Sequence, residues 1–484
     1  MTILLTTLNV KYPHTALALR YLFANLGELQ HQTQILEFII TDPIADIAEK
    51  LLTQKPKIIG ISVYIWNAEP VAKLIKLIKA LSPQTSIVLG GPEVSFRPFR
   101  VDFEAADYMI QGEGELSFYT LCTQILQGCP PSEKERPAPL IDLESIHLPY
   151  PFYSDEDIKN RMIVIETSRG CPFSCDFCLS SMDTTVRYFN LTQVLNEIDA
   201  LWQRGARQFK WIDRSVNINH STAIRLLDYF LTKPEPYFVH FEMVPHLFSD
   251  ALKQKLKQFP PNSIQLEIGI QTLNPSTAER IHRPCDRDTT IQNLQFLKAE
   301  TNVYVHADLI MGLPGETLDH ISQTIDQLVA VTNGEIQMGI LKKLSGTALA
   351  KFDDAFGMIY SDTPPYEILQ TNTLSFETMQ RLKRFARFWE ITYNSGNFKK
   401  SIQYLWPNGR VFDGFYTFSE WIYAQTESTW HFSLDRLAEL LFTFLTQQRH
   451  QNPDQIATLI SQDILSIPGR KLPKFLKLRN QTFS

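Results

Sequence analysis

Two long stretches of this chain alternate short apolar runs with segments of helical periodicity, and that alternation restricts the fold more than any other feature. Within residues 1–130 the apolar runs fall at 3–8, 34–40, 57–63, 86–91 and 108–110, and helical spacing occupies 17–26, 43–54, 68–81 and 115–127. Apolar strands separated by amphipathic helices imply a parallel sheet covered on both faces, a doubly wound Rossmann-like domain. Within 161–345 the pattern returns, with strands expected at 162–167, 208–213, 237–242, 263–270, 303–311 and 335–341. Six β/α units predict a partial TIM-like barrel. Between the two, 131–160 is rich in proline and reads as a linker, while 346–484 reads as a mostly helical domain rich in aromatics such as Trp389, Phe415, Trp421 and Trp430. Those aromatics read as core packing.

Both α/β units bind ligands at the carboxyl ends of their strands. In the first unit those ends carry 9–14, 62–67, 90–93 and 112–115. In the second, the first strand leads into Gly170-Cys171-Pro172-Phe173-Ser174-Cys175-Asp176-Phe177-Cys178. Six cysteines in 484 residues are too few for a disulfide scaffold, yet three of them crowd into eight positions. Cys122, Cys129 and Cys285 stand apart and read as small packed side chains. A structural zinc site wants four ligands, usually in two pairs, and no second pair lies near. Three thiolates suit an iron–sulfur cubane with one iron left open, with structural zinc and free thiols as the competing readings.

Composition removes some classes of function. Lys plus Arg is 46 against 52 for Asp plus Glu, a net charge of −6, so bulk charge does not favour a phosphate backbone. The basic run 471–479 is short and reads as a solvated helix face, and no nucleic-acid partner is expected. No run of about 18 apolar residues is present, and Met1 to Thr7 reads as a strand rather than a signal peptide, which sets the expectation of a cytoplasmic protein without a membrane partner.

The C-x3-C-x2-C motif after a first barrel strand resembles the radical S-adenosylmethionine superfamily. In that family three cysteines hold a 4Fe-4S cluster, S-adenosylmethionine chelates the open iron, and its reductive cleavage yields a 5′-deoxyadenosyl radical. The resemblance implies Cys171, Cys175 and Cys178 as metal ligands and Phe177 as an adenine contact. Gly269-Ile270-Gln271-Thr272, followed by Leu273 to Arg283, resembles the family's fifth-strand segment and 306–317, with Gly312-Leu313-Pro314-Gly315-Glu316-Thr317, its sixth. Segments 90–93 and 107–115 resemble the cobalamin-binding domain that precedes many members, and the aromatic C-terminal region resembles an uncharacterised domain of one subgroup. Loop 9–16 departs from the D-x-H-x-x-G pattern that supplies a cobalt-ligating histidine, so His14 reads as an ordinary loop residue.

For cofactor contacts the residues suggest two sets. Gly90, Gly91, Gly112 and Gly114, with Glu113, would let a wide corrin approach backbone closely, and Ser62 offers a hydroxyl to its nucleotide tail. In the barrel, Asp213 and Arg214 end the second strand, Glu242 and Glu267 are carboxylates on apolar strands, and Gln271, Asp308 and Gly312 sit toward strand ends. A carboxylate there must touch ligand or pair with a cation. No catalytic residue is singled out. The expected activity is cobalamin-dependent methyl transfer to an unactivated carbon of a small molecule, with an external electron donor of flavodoxin or ferredoxin type. Cobalamin-dependent cyclisation or rearrangement, and a non-catalytic iron–sulfur redox or binding module, are the alternatives.

Overall fold

The computed structural model describes residues 1–481, with side chains through Lys477; the side chains at the end of the basic run and the last three residues of the expected C-terminal domain lie outside it. The first sheet contains β1 (Ile3–Asn9), β2 (Thr33–Ile39), β3 (Ile58–Ser62), β4 (Ser86–Gly90), β5 (Tyr108–Gln111) and β6 (Glu135–Pro137), in the order β2-β1-β3-β4-β5-β6, with every neighbouring pair parallel. β1 and β3 are buried on both faces. Leu4, Leu8, Ile59 and Ile61 meet Ile47, Leu51 and Ile75 on one side, and Ile3, Leu5 and Ile58 meet Leu19 and Phe118 on the other. The strand order turns back between β1 and β3, and the crevice outside their carboxyl ends is the ligand position of such sheets.

The reading of 131–160 as a plain linker needs correction. Its Glu135–Pro137 stretch pairs with β5 as the sixth, edge strand, where a proline is tolerated because one side of an edge strand makes no ladder bonds. Farther on, Ser154 starts helix Asp155–Asn160 with a capping box to Asp157.

The second sheet contains β7 (Ile163–Ile165), β10 (Gln208–Trp211), β11 (Phe238–Met243), β12 (Ile264–Gln271), β13 (Tyr304–Met311) and β14 (Glu335–Ile340), paired in parallel in the order β14-β13-β12-β11-β10-β7. Between β7 and β10, β8 (Ser168–Arg169) and β9 (Arg187–Tyr188) form a separate antiparallel pair. The six parallel strands form an open barrel whose margins are β7 and β14. Along β12 and β13 buried and half-buried residues alternate. Ile264, Leu266, Ile268 and Val305, Ala307, Leu309 go under the surrounding helices, whereas Gln265, Glu267, His306 and Asp308 face inward. The lumen is therefore polar and is not closed by stacked aliphatic layers.

The C-terminal region adds a short hairpin, β15 (Ile359–Tyr360) and β16 (Ile368–Gln370), and helices including Phe376–Trp389 and Val411–Thr426. Phe385, Trp389, Phe412 and Phe415 stack face to face or edge to face in one core shared with the barrel. Trp430 is the exception, 63% exposed beneath Arg387. Loops at the carboxyl edge of the first sheet reach both margins of the barrel. His14 bridges to Met162 just before β7, while the Ser345 hydroxyl donates to the Pro98 carbonyl and Gly346 packs on Phe96 just beyond β14. Loops from the carboxyl edge of the first sheet thus lie against both marginal strands of the barrel. Among the described residues, no helix is long and apolar enough to cross a membrane.

One buried ion network joins the first domain to the segment before the barrel. Arg20 pairs with Glu37 at 2.7 Å and Asp157 at 2.8 Å, and Arg161 pairs with the same two carboxylates at 2.7 and 2.9 Å. All four side chains are at most 8% exposed. Removing one member of such a set leaves a buried charge uncompensated. R20M is expected to lower stability by about 3–5 kcal/mol in urea unfolding. R410A, at an exposed pair with Asp413, should leave the midpoint unchanged. Equal behaviour of the two variants would contradict this assignment.

Candidate active site

The cysteines lie on a loop whose neck is tightly built. β8 and β9 pair Ser168 with Tyr188 and Arg169 with Arg187, so the chain leaves and re-enters at one place. The Cys171 amide donates to the Asp183 carbonyl at 2.9 Å. Gly170 has φ +91°, and a Cβ there would collide with the Thr185 carbonyl oxygen, so this crossing needs glycine. Asp213 lies beneath the neck. It is 2% exposed and accepts from the Thr167 amide at 2.6 Å, the Ser168 hydroxyl at 2.8 Å and the Thr167 hydroxyl. Burial pushes its carboxyl up to about 6, with those donors opposing. Asp213, expected at the cofactor, therefore braces the approach to the cysteines.

Within the loop, Asp176 is anchored by His282 Nδ1 at 2.8 Å and by Lys351 Nζ at 2.7 Å, and its amide donates to the Ile281 carbonyl. Cys171, Cys175 and Cys178 then line a single cavity of 200 Å³ with Phe177, Arg214, Glu242, Glu267, Gln271 and Asp308. This is the set expected of the barrel, less Asp213 and Gly312. At Gly312, with φ +91°, a Cβ would lie 2.6 Å from Ile368 Cγ2, so the turn serves close contact with the C-terminal region and lines no part of this cavity.

Burial pushes the Cys171 and Cys175 thiols up, and Arg283 opposes this at both. Arg283 Nη1 lies 3.8 Å from Cys175 Sγ, and Nη2 donates to the Gly269 carbonyl. A Cβ at Gly269 would sit 2.7 Å from Gln271 Nε2 and 3.4 Å from Arg283 Nη2. Arg283 received no site role from the sequence because it stands in an irregular turn with no periodic marker. Gln271 ends β12 with φ +67°, a conformation that costs about 1–3 kcal/mol in a non-glycine residue and accumulates at functional sites.

The acidic wall is graded. Burial opposes ionisation of Glu267, but His240 Nε2 at 3.0 Å and Lys210 at 3.5 Å outweigh it and hold the carboxyl well below its usual range. Asp308 is raised by burial despite His306 at 3.3 Å. Glu242 is pushed up to about 7 by burial, with Arg214 opposing and Glu267 adding to the rise. The cavity thus combines three thiols, two guanidinium groups and carboxyls held at different protonation levels.

Three sulfurs on one small cavity fit a cubane, in which each thiolate holds a different iron. Among the described residues, no group of three or more His, Cys, Asp or Glu is arranged to hold a single metal ion.

At the first sheet's carboxyl edge the glycines divide. A Cβ on Gly90 would meet nothing within 4 Å, which leaves open space for a bulky ligand. The others have packing reasons: a Cβ on Gly91 would lie 2.6 Å from the Val63 carbonyl oxygen, on Gly112 2.9 Å from that of Ala138, and on Gly114 3.2 Å from Leu22. Ser62 is buried and its carbonyl is held by Thr7 and Asn67. At the end of β1, Trp66 donates to the Leu8 carbonyl; it is 42% exposed and stacks on Tyr64 at 4.5 Å. Glu113, expected at the corrin, is engaged by Arg187 and the Ile141 amide.

Comparison with known proteins agrees with this layout. Residues 3–121 match the B12 binding domain, 165–328 the Radical SAM superfamily, and 354–483 a protein family of unknown function, DUF4080. The uncharacterized methyltransferase PH0819 of Pyrococcus horikoshii is 25% identical over 364 residues, covering 69% of this chain and 78% of that protein. The cobalamin-dependent radical SAM methyltransferase TokK of Streptomyces tokunonensis is 26% identical over 340 residues, covering 62% of this chain but only 49% of that protein. In fold, the chain is similar to the cobalamin-dependent S-adenosylmethionine radical enzyme OxsB, solved with aqua-cobalamin and S-adenosylmethionine bound. The TM-score is 0.62 at 14% identity, over 99% of this chain and 80% of that one. A B12-binding domain, a barrel with three cysteines on one cavity and a DUF4080 region identify the chain as a cobalamin-binding-domain radical S-adenosylmethionine enzyme.

Proposed function

We propose that this enzyme transfers a methyl group to a poorly nucleophilic atom, in the first place an unactivated carbon, of a small molecule. The observation that carries this is that Glu113 and Glu115, on the same carboxyl edge as the open position at Gly90, pair with Arg187 and Arg169 at the base of the loop that brings three thiols onto one cavity. When bound, a 4Fe-4S cluster and S-adenosylmethionine supply one-electron cleavage of the sulfonium, and cobalamin supplies a carried methyl group. Cys171, Cys175 and Cys178 would hold the cluster. Arg283, fixed by the Gly269 carbonyl, places positive charge beside the thiol of Cys175. Phe177 presents an apolar face to the cavity and excludes water from it. Arg214, Glu242, Gln271 and Asp308 offer the donors and acceptors that orient polar groups within it. Gly90 would receive the corrin. The electron would come from an external flavodoxin or ferredoxin type of donor.

Three outcomes are expected. C171A, C175A and C178A should each abolish the brown absorbance of anaerobically reconstituted protein; a full cluster in all three variants would refute the ligand assignment. G90L should lose most copurifying cobalamin while keeping the wild-type unfolding midpoint, because the added side chain enters open space. Undiminished cobalamin in G90L would remove the corrin from that edge. Incubated anaerobically with reductant, S-adenosylmethionine and a cell metabolite extract, the enzyme should yield a product heavier by one methyl group together with S-adenosylhomocysteine. Formation of 5′-deoxyadenosine with a cyclised or rearranged product and no methyl gain would favour the alternative chemistry.

A further inference from the structure

The turn between Gly112 and Gly114 places a single carboxylate against both legs of the cysteine loop. Glu113 takes Arg187 in a fork, Nη2 at 2.7 Å and Nη1 at 3.0 Å, and takes Arg169 Nη1 at 3.3 Å. Arg169 and Arg187 are register partners in the β8–β9 pair. Arg169 lies two positions before Cys171, and Arg187 is where the loop returns. Both guanidinium groups are otherwise secured: Arg169 by Glu115 at 2.7 Å and Glu166 at 2.8 Å, over the rings of Tyr21 and Phe189, and Arg187 by Asp183 at 3.1 Å and the Ile141 carbonyl at 2.7 Å. The three side chains are 15–18% exposed, so these pairs are shielded from screening by solvent.

The turn itself is stiff. Gly112 has φ +111° and packs on the Ala138 carbonyl, and the Ile141 amide donates to Glu113 at 2.7 Å. A displacement of this turn must move both arginines and with them the neck of the loop. The turn follows β5, on the same carboxyl edge of the first sheet as Gly90. A ligand seated on that edge therefore bears on the element that clamps the cysteines.

We infer that Glu113 is a positioning residue that couples the corrin-side turn to the cysteine loop, so that occupancy of either cofactor site changes affinity at the other. This rests on the reading of Cys171, Cys175 and Cys178 as cluster ligands. Coupling between two sites is reciprocal, so it can be measured from either one. The test is hydroxocobalamin affinity, by absorbance titration, of the full-length chain with and without a reconstituted cluster. The wild-type ratio of the two dissociation constants should be at least about fivefold, the lower end of typical couplings, and should fall to near unity in E113Q. E113Q should still load its cluster and bind hydroxocobalamin, which a general loss of folding would not allow. R187K, which keeps the charge and loses the fork, should also reduce the ratio and serves if E113Q fails to fold. A wild-type ratio of one with a fully formed cluster, or an undiminished ratio in a folded variant, would overturn the coupling alone. Failure of the wild-type chain to form any cluster would overturn the cluster reading, and the coupling with it.

Discussion

The neck of the cysteine loop is the constraint on which the site depends. Three thiols can share one cavity only if the chain between β7 and β10 is pinned where it leaves and returns. Here the pins are the two residue pairs of β8 and β9, a glycine crossing at Gly170 that no L-side chain could replace, and Asp213 holding Thr167 and Ser168 from beneath. Asp176, reached by His282 and Lys351, fixes the loop's far side. The residues nearest the thiols are thus held by the barrel, by the first domain through Arg169, and by the C-terminal junction through Lys351.

The second constraint is the polar lumen. Charged groups inside a barrel are costly unless paired, and most here are: Glu267 with His240 and Lys210, and Asp308 with His306. Burial still lifts the Glu242 carboxyl to about 7, with only Arg214 and Lys210 opposing. A cavity that tolerates this expense at the carboxyl ends of the strands, next to three thiols, is built for ligand contact rather than for stability.

Much of this was legible in the sequence because periodicity reports burial. Apart from the edge strand β6, the strands of both sheets fell within a few residues of their expected positions, and the alternation Ile264-Gln265-Leu266-Glu267-Ile268 already encodes one face under helices and one in the lumen. What sequence could not distinguish was the direction in which a polar residue at a strand end points. Arg214 and Asp213 are neighbours, yet Arg214 lines the cavity while Asp213 turns back beneath β8. Gly90 and Gly112 both end strands, but Gly90 borders open space and Gly112 packs on the Ala138 carbonyl. The place of Arg283 beside Cys175 and the edge strand Glu135–Pro137 escaped because each depends on a distant partner, and local pattern carries no trace of it.

The proposed chemistry requires that the three thiols hold an iron–sulfur cubane rather than a lone metal ion. The most direct measurement of this is the iron, acid-labile sulfide and zinc content of the anaerobically purified chain, with Mössbauer spectroscopy of the iron. About four irons and four sulfides per chain, with one iron site made distinct on addition of S-adenosylmethionine, is the predicted result. Stoichiometric zinc without sulfide would contradict it.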